Sequence, residues 1–431
     1  MPPIRPRERD AVLQSLQAGV VPRMGQHLIQ VGRVAELRSM LADLDRVADG
    51  GSAFRLVIGE YGAGKTFFLN LVRSIALEKK LVTMNADLNP DRRLQASGGQ
   101  ARSLYAELAR NMATRTKSEG GAMTAVLERF IATATSEAAD AGIPVEKIVR
   151  KKTASLAELV NGFDFADVLL AYWRGFEEGN EQLKQDAVRW MRGEFTTKTD
   201  ARNALGVRTI VDDATVYDQL KLMARFVRLA GYSGLLVCLD EMVNLYKLTN
   251  TQARTSNYEQ ILRILNDSFQ GAAEGLGFIL GGTPDFLFDT RRGLYSYAAL
   301  QSRLSQNTFA REGLQDFSGP VLRLAALTPE DFHVLLEKLR FVYASGEPEK
   351  YLLPDEAIPA FMQHCNQRLG EAYFRTPRTT ITSFLDLLTI LEQNPGVSWT
   401  SLIAEMDVKA DHGAEAERAL EGEDEFATFK L

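Results

Sequence analysis

The sequence has few of the residues that build disulfide frameworks and metal centres. Its 431 residues include only two cysteines, Cys238 and Cys365, and four histidines that do not cluster at ligand spacing. Two lone cysteines argue against a disulfide framework or a thiolate zinc site, and the scattered histidines argue against a zinc centre of their own. Cys238 lies within the apolar run "LLVCL" and is expected to be a small buried residue.

Long apolar runs and an excess of positive charge are also missing. No run approaches the roughly 18 residues of a membrane span, and "MPPIRPRERDAV" lacks the apolar core of a secretory signal. We therefore expect a cytoplasmic protein with no membrane partner. The formal net charge is −6, so DNA could be contacted only through a local basic patch or through another protein. The clusters "VRKKTASL" (149–156) and "FRTPRTT" (374–380) leave direct contact with DNA open.

Five short apolar runs, each bounded by turn residues, predict buried strands. They are "FRLVIG", "LVTMNADL", "GLLVCLDE", "LGFILGGTP" and "VLRLAAL". Helical patterns separate them, and the strands show no polar alternation. Both features favour an α/β fold with a five-stranded parallel sheet that is covered on both faces.

The spacing of these runs suggests a division of the chain. We expect N-terminal helices in 1–50, an α/β core in 51–100 and 231–327, a long helical insertion in 101–230, a C-terminal helical lid in 328–410 and a tail in 411–431. In the first segment, "VVPRMGQHLIQVGR" is expected to be a loop with a short extended apolar stretch. The tail ends in "EDEFATFKL", which suits either a docking segment or a frayed terminus.

A glycine-rich segment after the first strand carries the strongest chemical signal. "GEYGAGKT" fits the phosphate-loop pattern G-x-x-x-x-G-K-[ST] between a strand and a helix. In this pattern backbone N–H groups wrap the phosphates of ATP, Lys65 reaches the terminal phosphates and the Thr66 hydroxyl binds Mg²⁺. The predicted nucleotide-binding loop comprises Gly59, Glu60, Tyr61, Gly62, Ala63, Gly64, Lys65, Thr66 and Phe67. Phe67 is also expected to face the core.

The third predicted strand ends in two acids. Asp240 is placed to hold the metal, directly or through water, and Glu241 to polarise the attacking water as general base. Because a phosphate-loop switch often lacks a base at this place, Glu241 favours hydrolysis over binding alone. The alternative is a buried strand that ends in two solvated carboxylates.

The fourth predicted strand ends at Thr283, a candidate sensor of the γ-phosphate, with Asp285 as the second choice. A threonine before proline is also a favourable turn residue, so both interpretations stay open.

Four arginines are candidates to complete the site. Arg303 lies between the fourth and fifth strands, where an arginine could reach the γ-phosphate in a neighbouring subunit. Arg291 and Arg292 compete for that role. Arg378 opens a predicted lid helix and could contact the nucleotide of its own chain. Each of these arginines could instead be an ordinary surface residue.

Together these motifs resemble those of the AAA+ ATPases, nearest to the origin-recognition and archaeal ATPase branch. "VGRVAEL" (31–37) is similar to a motif of that branch whose backbone packs near the adenine, which implies that Val31, Gly32 and Arg33 bind the nucleotide. From about residue 8 onward the chain resembles more closely the BREX phage-defence ATP-binding proteins of the BrxD-like type. "GEYGAGKTFF", "GYSGLLVCLDE", "GFILGGTPDFLFD" and "LYSYAALQSRL" carry this resemblance.

The resemblance implies an ATP-hydrolysing, Mg²⁺-dependent AAA+ subunit of an antiviral system. Such a subunit would form homo-oligomers across the ATP site and work beside a helicase and DNA-modifying proteins. The alternative is a STAND-like switch that binds ATP, holds partners together and hydrolyses slowly. A small-molecule kinase is disfavoured, because the Asp-Glu pair at a strand end and the helical lid suit ATPases better.

Overall fold

The structure is a computed structural model that describes residues 4–307, 316–369 and 377–406. The tail predicted at 411–431 and part of the "FRTPRTT" cluster lie outside these residues. The chain forms two compact units. The loop unit consists of Met1–Val34, Gly59–Leu71 and Arg323–Leu431, and the sheet unit consists of Ala35–Ile58 and Val72–Leu322.

The sheet is five-stranded, and all five predicted strands are confirmed. The strands are β1 (Ala53–Ile58), β2 (Leu81–Asp87), β3 (Gly234–Asp240), β4 (Leu276–Gly282) and β5 (Val321–Arg323). Their order in the sheet is β2-β3-β4-β1-β5, and the sheet is parallel throughout. Every residue of β1, β3 and β4 is buried, as expected when helices cover both faces of a parallel sheet. The α/β class is therefore confirmed.

Helices flank the strands of the sheet unit. They are α3 (Val34–Ala48), α4 (Lys65–Glu78), α12 (Val243–Tyr246), α13 (Thr251–Phe269), α14 (Pro284–Phe288) and α15 (Ala298–Leu304). The chain passes from one unit to the other after Val34, Ile58, Leu71 and Leu322, that is, at the start of α3, after β1, within α4 and within β5. Cys238, in β3, is buried as expected, and burial raises the pKa of its thiol to about 12.

Seven α-helices lie between β2 and β3, and they belong to the same compact unit as the sheet. They are α5 (Gln100–Arg110), α6 (Met123–Ala141), α7 (Val145–Thr153), α8 (Gly162–Glu177), α9 (Glu181–Met191), α10 (Lys198–Leu205) and α11 (Val216–Leu229). Aromatic side chains hold them together: the Phe226 ring lies 5.5 Å from both Phe130 and Phe165, edge to face in each case. Such pairs add to the free energy gained by burial alone.

The loop unit has a helical core of its own. Its helices are α1 (Pro6–Gln17), α2 (Gln26–Ile29), α16 (Pro329–Tyr343), α17 (Ala357–Leu369), α18 (Pro377–Gln393) and α19 (Trp399–Glu405). α16 begins with a capping box in which Thr328 and Asp331 bind each other's backbone N–H groups. Phe361 and Phe384 pack edge to face with ring centroids 5.2 Å apart.

One local expectation is wrong. The apolar stretch expected to be extended in "VVPRMGQHLIQVGR" contains the short helix α2 instead. Gly25 turns the backbone into this helix with φ +71°, and the Gln26 side chain donates to the Pro22 carbonyl at 2.8 Å. A side chain that binds backbone four residues earlier favours a turn over an extended segment.

None of the helices in the described ranges has the length and apolar character needed to cross a membrane.

Candidate functional site

The phosphate loop has the backbone conformation that its glycines permit. Gly62 and Gly64 both have φ of +79°, a region that costs side chains other than glycine about 1–2 kcal/mol. Glycine fits closely at position 59, because a Cβ there would lie 3.2 Å from the Ala63 Cβ and 3.3 Å from the Leu324 carbonyl oxygen. The loop leads directly into α4, whose first N–H groups form a natural anion-binding site.

Lys65 stands at the junction of the loop and α4. Its ammonium group donates to the carbonyl oxygens of Gly59 at 2.8 Å and Glu60 at 3.0 Å, and lies 5.4 Å from the centre of the Tyr61 ring. The Lys65 side chain therefore links the end of the phosphate loop to its first two residues.

The Val31–Arg33 segment contacts the phosphate loop through a side chain, a contact that the sequence did not predict. Gly32 and Arg33 both have φ of +59°, and the Arg33 guanidinium donates to the carbonyl oxygens of Ala63 at 2.6 Å and Ala325 at 2.9 Å. Arg33 thus ties the middle of the loop to the chain that follows β5. A left-handed non-glycine residue costs about 1–3 kcal/mol and persists only where its surroundings impose it.

The α16 helix holds the same segment from the other side. Lys338 donates to the Gln30 carbonyl oxygen, and the Gln30 side chain donates to the Gly32 carbonyl oxygen at 2.9 Å. A Cβ on Gly32 would lie 2.9 Å from an Asp331 carboxylate oxygen, so this position requires glycine. Burial lowers the pKa of Lys338.

Two predicted nucleotide-binding residues contribute to the core of the loop unit. Val31 and Phe67 are partly buried and pack against the hydrophobic cluster of the C-terminal helices, so the expectation that Phe67 faces the core is confirmed.

Arg378, the second residue of α18, is exposed, and its alkyl chain lies beside Gly19. A contact of Arg378 with nucleotide stays a prediction.

In the sheet unit, the parallel register brings polar residues to one edge. Asp87 is the register partner of Asp240, and Gly282, just before Thr283, is the partner of Ile58 at the end of β1. Ligands of open α/β sheets bind outside the carboxyl ends of the strands. This edge therefore carries the predicted acids and the predicted sensor, and β1 ends there, one residue before the phosphate loop begins.

Asp240 and Glu241 differ in burial and conformation. Asp240 is 8% exposed and accepts a hydrogen bond from the Glu241 N–H at 2.9 Å. Glu241 is exposed and has a left-handed backbone, with φ of +57°. Strained residues of this kind are concentrated at active sites, where they direct a side chain. This backbone conformation of Glu241 could not be predicted from the sequence.

Asp87 is an acid that sequence reasoning missed at this edge. Burial raises its pKa above the ordinary value, and so does the neighbouring charge of Asp240, while Arg92 opposes the shift. Its position as the last residue of β2 was readable from the sequence, but its pairing with Asp240 depends on the strand order.

The raised pKa of Asp87 predicts a pH-dependent stability. The folded state binds the proton of the Asp87 carboxyl more tightly than the unfolded state does. Protonation of Asp87 therefore contributes its full stabilisation of the fold below the pKa that Asp87 has in the unfolded state. This contribution is lost as pH rises through the higher pKa that Asp87 has in the folded state. Asp87→Asn should therefore raise Tm at pH 7 and give a smaller gain at pH 3.5, as measured by thermal unfolding. An equal gain at both pH values would contradict this origin. Asp91→Asn, an exposed acid in the following loop, is the control.

Thr283 serves as the N-cap of α14. Its hydroxyl oxygen accepts from the Phe286 N–H at 3.4 Å, and the residue is 5% exposed. The turn interpretation of this residue is therefore confirmed. A hydroxyl that accepts one hydrogen bond still has a proton to donate, and the γ-phosphate sensor stays a prediction.

The candidate trans arginines differ in their surroundings. The Arg303 guanidinium donates to the Asn266 side chain at 2.8 Å and to the Ala299 carbonyl oxygen at 2.9 Å. Arg292 lies over the Tyr246 ring at 5.3 Å. Arg291 is exposed, and its backbone N–H donates to Asp289 at 2.6 Å. Arg303 would have to exchange bonds within its own chain before it could reach a second copy.

Comparison with known protein families identifies a match over most of the chain. The family model described as BREX system ATP-binding protein BrxC/D matches residues 4–407. No curated protein matches the chain.

Proposed function

The chain belongs to the family of BREX system ATP-binding proteins BrxC/D, ATP-binding proteins of a phage-defence system, and from this premise we propose that it hydrolyses ATP as an AAA+ subunit. The observation that carries hydrolysis is the strained backbone of Glu241. Its exposed carboxylate follows a buried aspartate at the carboxyl edge of a parallel sheet. A residue that only terminates a strand has no need of a conformation that costs about 1–3 kcal/mol.

In this proposal the residues of the loop unit hold the nucleotide. The N–H groups of Gly62–Lys65 and the Lys65 ammonium bind phosphate oxygens, and the Val31–Arg33 segment lies on the adenine side. Glu241 is proposed as the base that takes a proton from water, and Thr283 as the phosphate sensor. Arg378 contacts the nucleotide from the lid.

The donor set suits Mg²⁺. A hydroxyl from Thr66 and a carboxylate from Asp240 are oxygen ligands of the kind that Mg²⁺ takes when phosphate and water oxygens complete its octahedron. Among the described residues, no group of three His, Cys, Asp or Glu side chains could hold an ion alone. Bound together with ATP, the ion would screen the charge on the phosphates.

The proposal extends to assembly and partners. A second copy would supply Arg303 across the ATP site. Other defence-system proteins, such as a helicase, would act on DNA in the cytoplasm with the free energy of ATP hydrolysis.

One observation favours the STAND-like switch instead, namely the two hydrogen bonds that hold Arg303 to its own chain. ATPase rate against protein concentration separates the two. A motor shows a rate per subunit that rises with concentration and falls in Arg303→Ala, whereas a switch shows neither.

Lys65→Ala tests ATP binding at the phosphate loop. Because this ammonium is proposed to bind the terminal phosphates, its loss should weaken ATP affinity at least about tenfold, as charge-assisted hydrogen bonds contribute about 1.5–3 kcal/mol each. Isothermal titration with ATP and Mg²⁺ measures the change. The control is Lys79→Ala, which removes a partly buried lysine that directly follows α4 and pairs with Asp45. Unchanged affinity in Lys65→Ala would refute the site.

Arg33→Ala tests whether the shape of the loop depends on this side chain. With the bonds to Ala63 and Ala325 lost, the loop samples other conformations, and we expect ATP affinity to fall about tenfold. The matched control is Arg9→Ala, which removes a guanidinium that donates to the Tyr343 carbonyl oxygen at 3.1 Å in the same unit. Equal losses of ATP affinity in the two variants would show a general effect of folding.

A further inference from the structure

The strained backbone of Glu241 is held by hydrogen bonds on both sides of the residue. Its N–H donates to the Asp240 carboxylate at 2.9 Å. Its carbonyl oxygen accepts twice from Asn244, from the backbone N–H at 3.0 Å and from the side-chain amide at 3.2 Å. A conformation of this cost persists only when its surroundings impose it, and Asn244 contributes two of these bonds.

The Asn244 amide also binds a second segment. It donates to the Leu88 carbonyl oxygen, just after β2, at 2.9 Å. The Leu88 N–H in turn donates to the Asp240 carbonyl oxygen at 3.0 Å. The Asn244 side chain thus joins the loop after β2 to Glu241, and a backbone hydrogen bond joins the same loop to Asp240.

Only a side chain with two amide hydrogens suits this place. A primary amide can donate to Leu88 and Glu241 together, whereas an aspartate of the same shape has no hydrogen to donate and would repel both carbonyl oxygens. The amide is not needed to begin its own helix, because α12 has its N-cap at Met242 with no side-chain capping bond. Asn244 is half-buried, and its bond to the Leu88 carbonyl oxygen is partly shielded from water, whereas its bond to the Glu241 carbonyl oxygen is exposed.

We propose that Asn244 is a positioning residue for Glu241: it holds the base in its left-handed conformation and fixes the base to the loop after β2. The proposal rests on the proposed function, in which Glu241 activates water. The Asn244 amide bonds Leu88 and Glu241, so its loss is expected to misdirect the base and to leave the phosphate loop intact.

The kinetic test compares kcat and KM for ATP in Asn244→Ala and Asn244→Asp. We expect kcat to fall at least about tenfold in both variants, with KM within about twofold of the wild type, because a misplaced base slows the chemical step without weakening binding. The matched control is Asn257→Ala. That amide donates to the Gln95 carbonyl oxygen at 2.9 Å, in the same loop, but does not contact Glu241.

The control separates two roles of the amide. If Asn244 acts through Glu241, then Asn257→Ala keeps kcat within about twofold of the wild type. A fall in kcat as large as that of Asn244→Ala would show that the loop, and not the base, is responsible, and would overturn the proposal. Adding Asn244→Ala to Glu241→Gln should cause no further fall in the residual rate, and a further tenfold fall would also overturn it.

A stability cycle tests the positioning role without any catalysis. Glycine accepts a positive φ at no steric cost, so Glu241→Gly should raise Tm by about 2–4 °C in the wild type. In the Asn244→Ala background Glu241 loses the side-chain bond to its carbonyl oxygen but keeps the bonds to the Asp240 carboxylate and to the backbone N–H at position 244, and we expect a smaller gain. An equal gain in both backgrounds would refute the positioning role. If Glu241→Gln keeps the wild-type ATPase rate, the proposed role of Glu241 as the base fails, and the stability cycle still decides whether Asn244 holds the conformation of Glu241.

Discussion

Glu241→Gln is expected to lower kcat for ATP hydrolysis by about 10²–10⁴-fold, the range that a positioned general base contributes. Glutamine keeps the size of the side chain and its left-handed backbone, but it cannot take a proton from water. ATP binding should stay within about twofold, because the proposed phosphate contacts are made by Lys65 and the loop. Phosphate release and isothermal titration with ATP measure the two quantities separately.

The matched control for this variant is Glu259→Gln, an exposed glutamate on α13. It should keep the wild-type rate. The pattern that identifies Glu241 as the base is a lost kcat with retained ATP affinity. If Glu241→Gln turned over ATP at the wild-type rate, the base assignment would be wrong, and the chain would act as a nucleotide-binding switch or use another base.

The second large effect is expected at a buried ion pair in the sheet unit. Arg55 in β1 and Asp43 in α3 are 6% and 3% exposed and form a salt bridge. The Arg55 guanidinium also donates to the Ser39 hydroxyl at 3.0 Å and to the Gly319 carbonyl oxygen. Asp43→Ala removes the countercharge and leaves this guanidinium buried. We expect the free energy of unfolding to fall by about 3–5 kcal/mol, measured by urea denaturation.

Two further variants show whether the loss comes from the unpaired charge. Asp43→Leu with Arg55→Met replaces the pair with apolar side chains of similar volume and should recover most of the stability, because desolvation offsets much of the attraction in a buried pair. Asp45→Ala breaks the exposed pair with Lys79 and should cost under about 1 kcal/mol. A double variant as unstable as Asp43→Ala would place the loss in packing instead.

This ion pair also shows what the sequence concealed. Arg55 interrupts an otherwise apolar strand, and nothing in "FRLVIG" reveals that its partner is Asp43, twelve residues earlier. The separation along the chain is larger for the hydrogen bond between Arg33 and Ala325, which lie 292 positions apart. Long-range hydrogen bonds depend on how distant segments are brought together, which local pattern does not specify.

Local pattern did determine the elements and the motifs. Buried strands read as short apolar runs because both faces of a parallel sheet are covered, so all five strands were predictable. The phosphate loop was predictable because its glycines, Lys65 and Thr66 are contiguous. The short helix α2 was missed because a glycine turn and one side-chain bond outweighed the apolar character of its residues.

The sequence by itself therefore determined the α/β sheet, the phosphate loop and the Asp240–Glu241 pair, since each depends on neighbouring residues. Only the tertiary structure decided that Arg33 supports the loop, that Asp87 lies beside Asp240 and that Asn244 holds Glu241 in a strained conformation. These features depend on strand order, on a positive φ and on hydrogen bonds between segments far apart in the chain. They exist only once packing has supplied the free energy that holds such segments together.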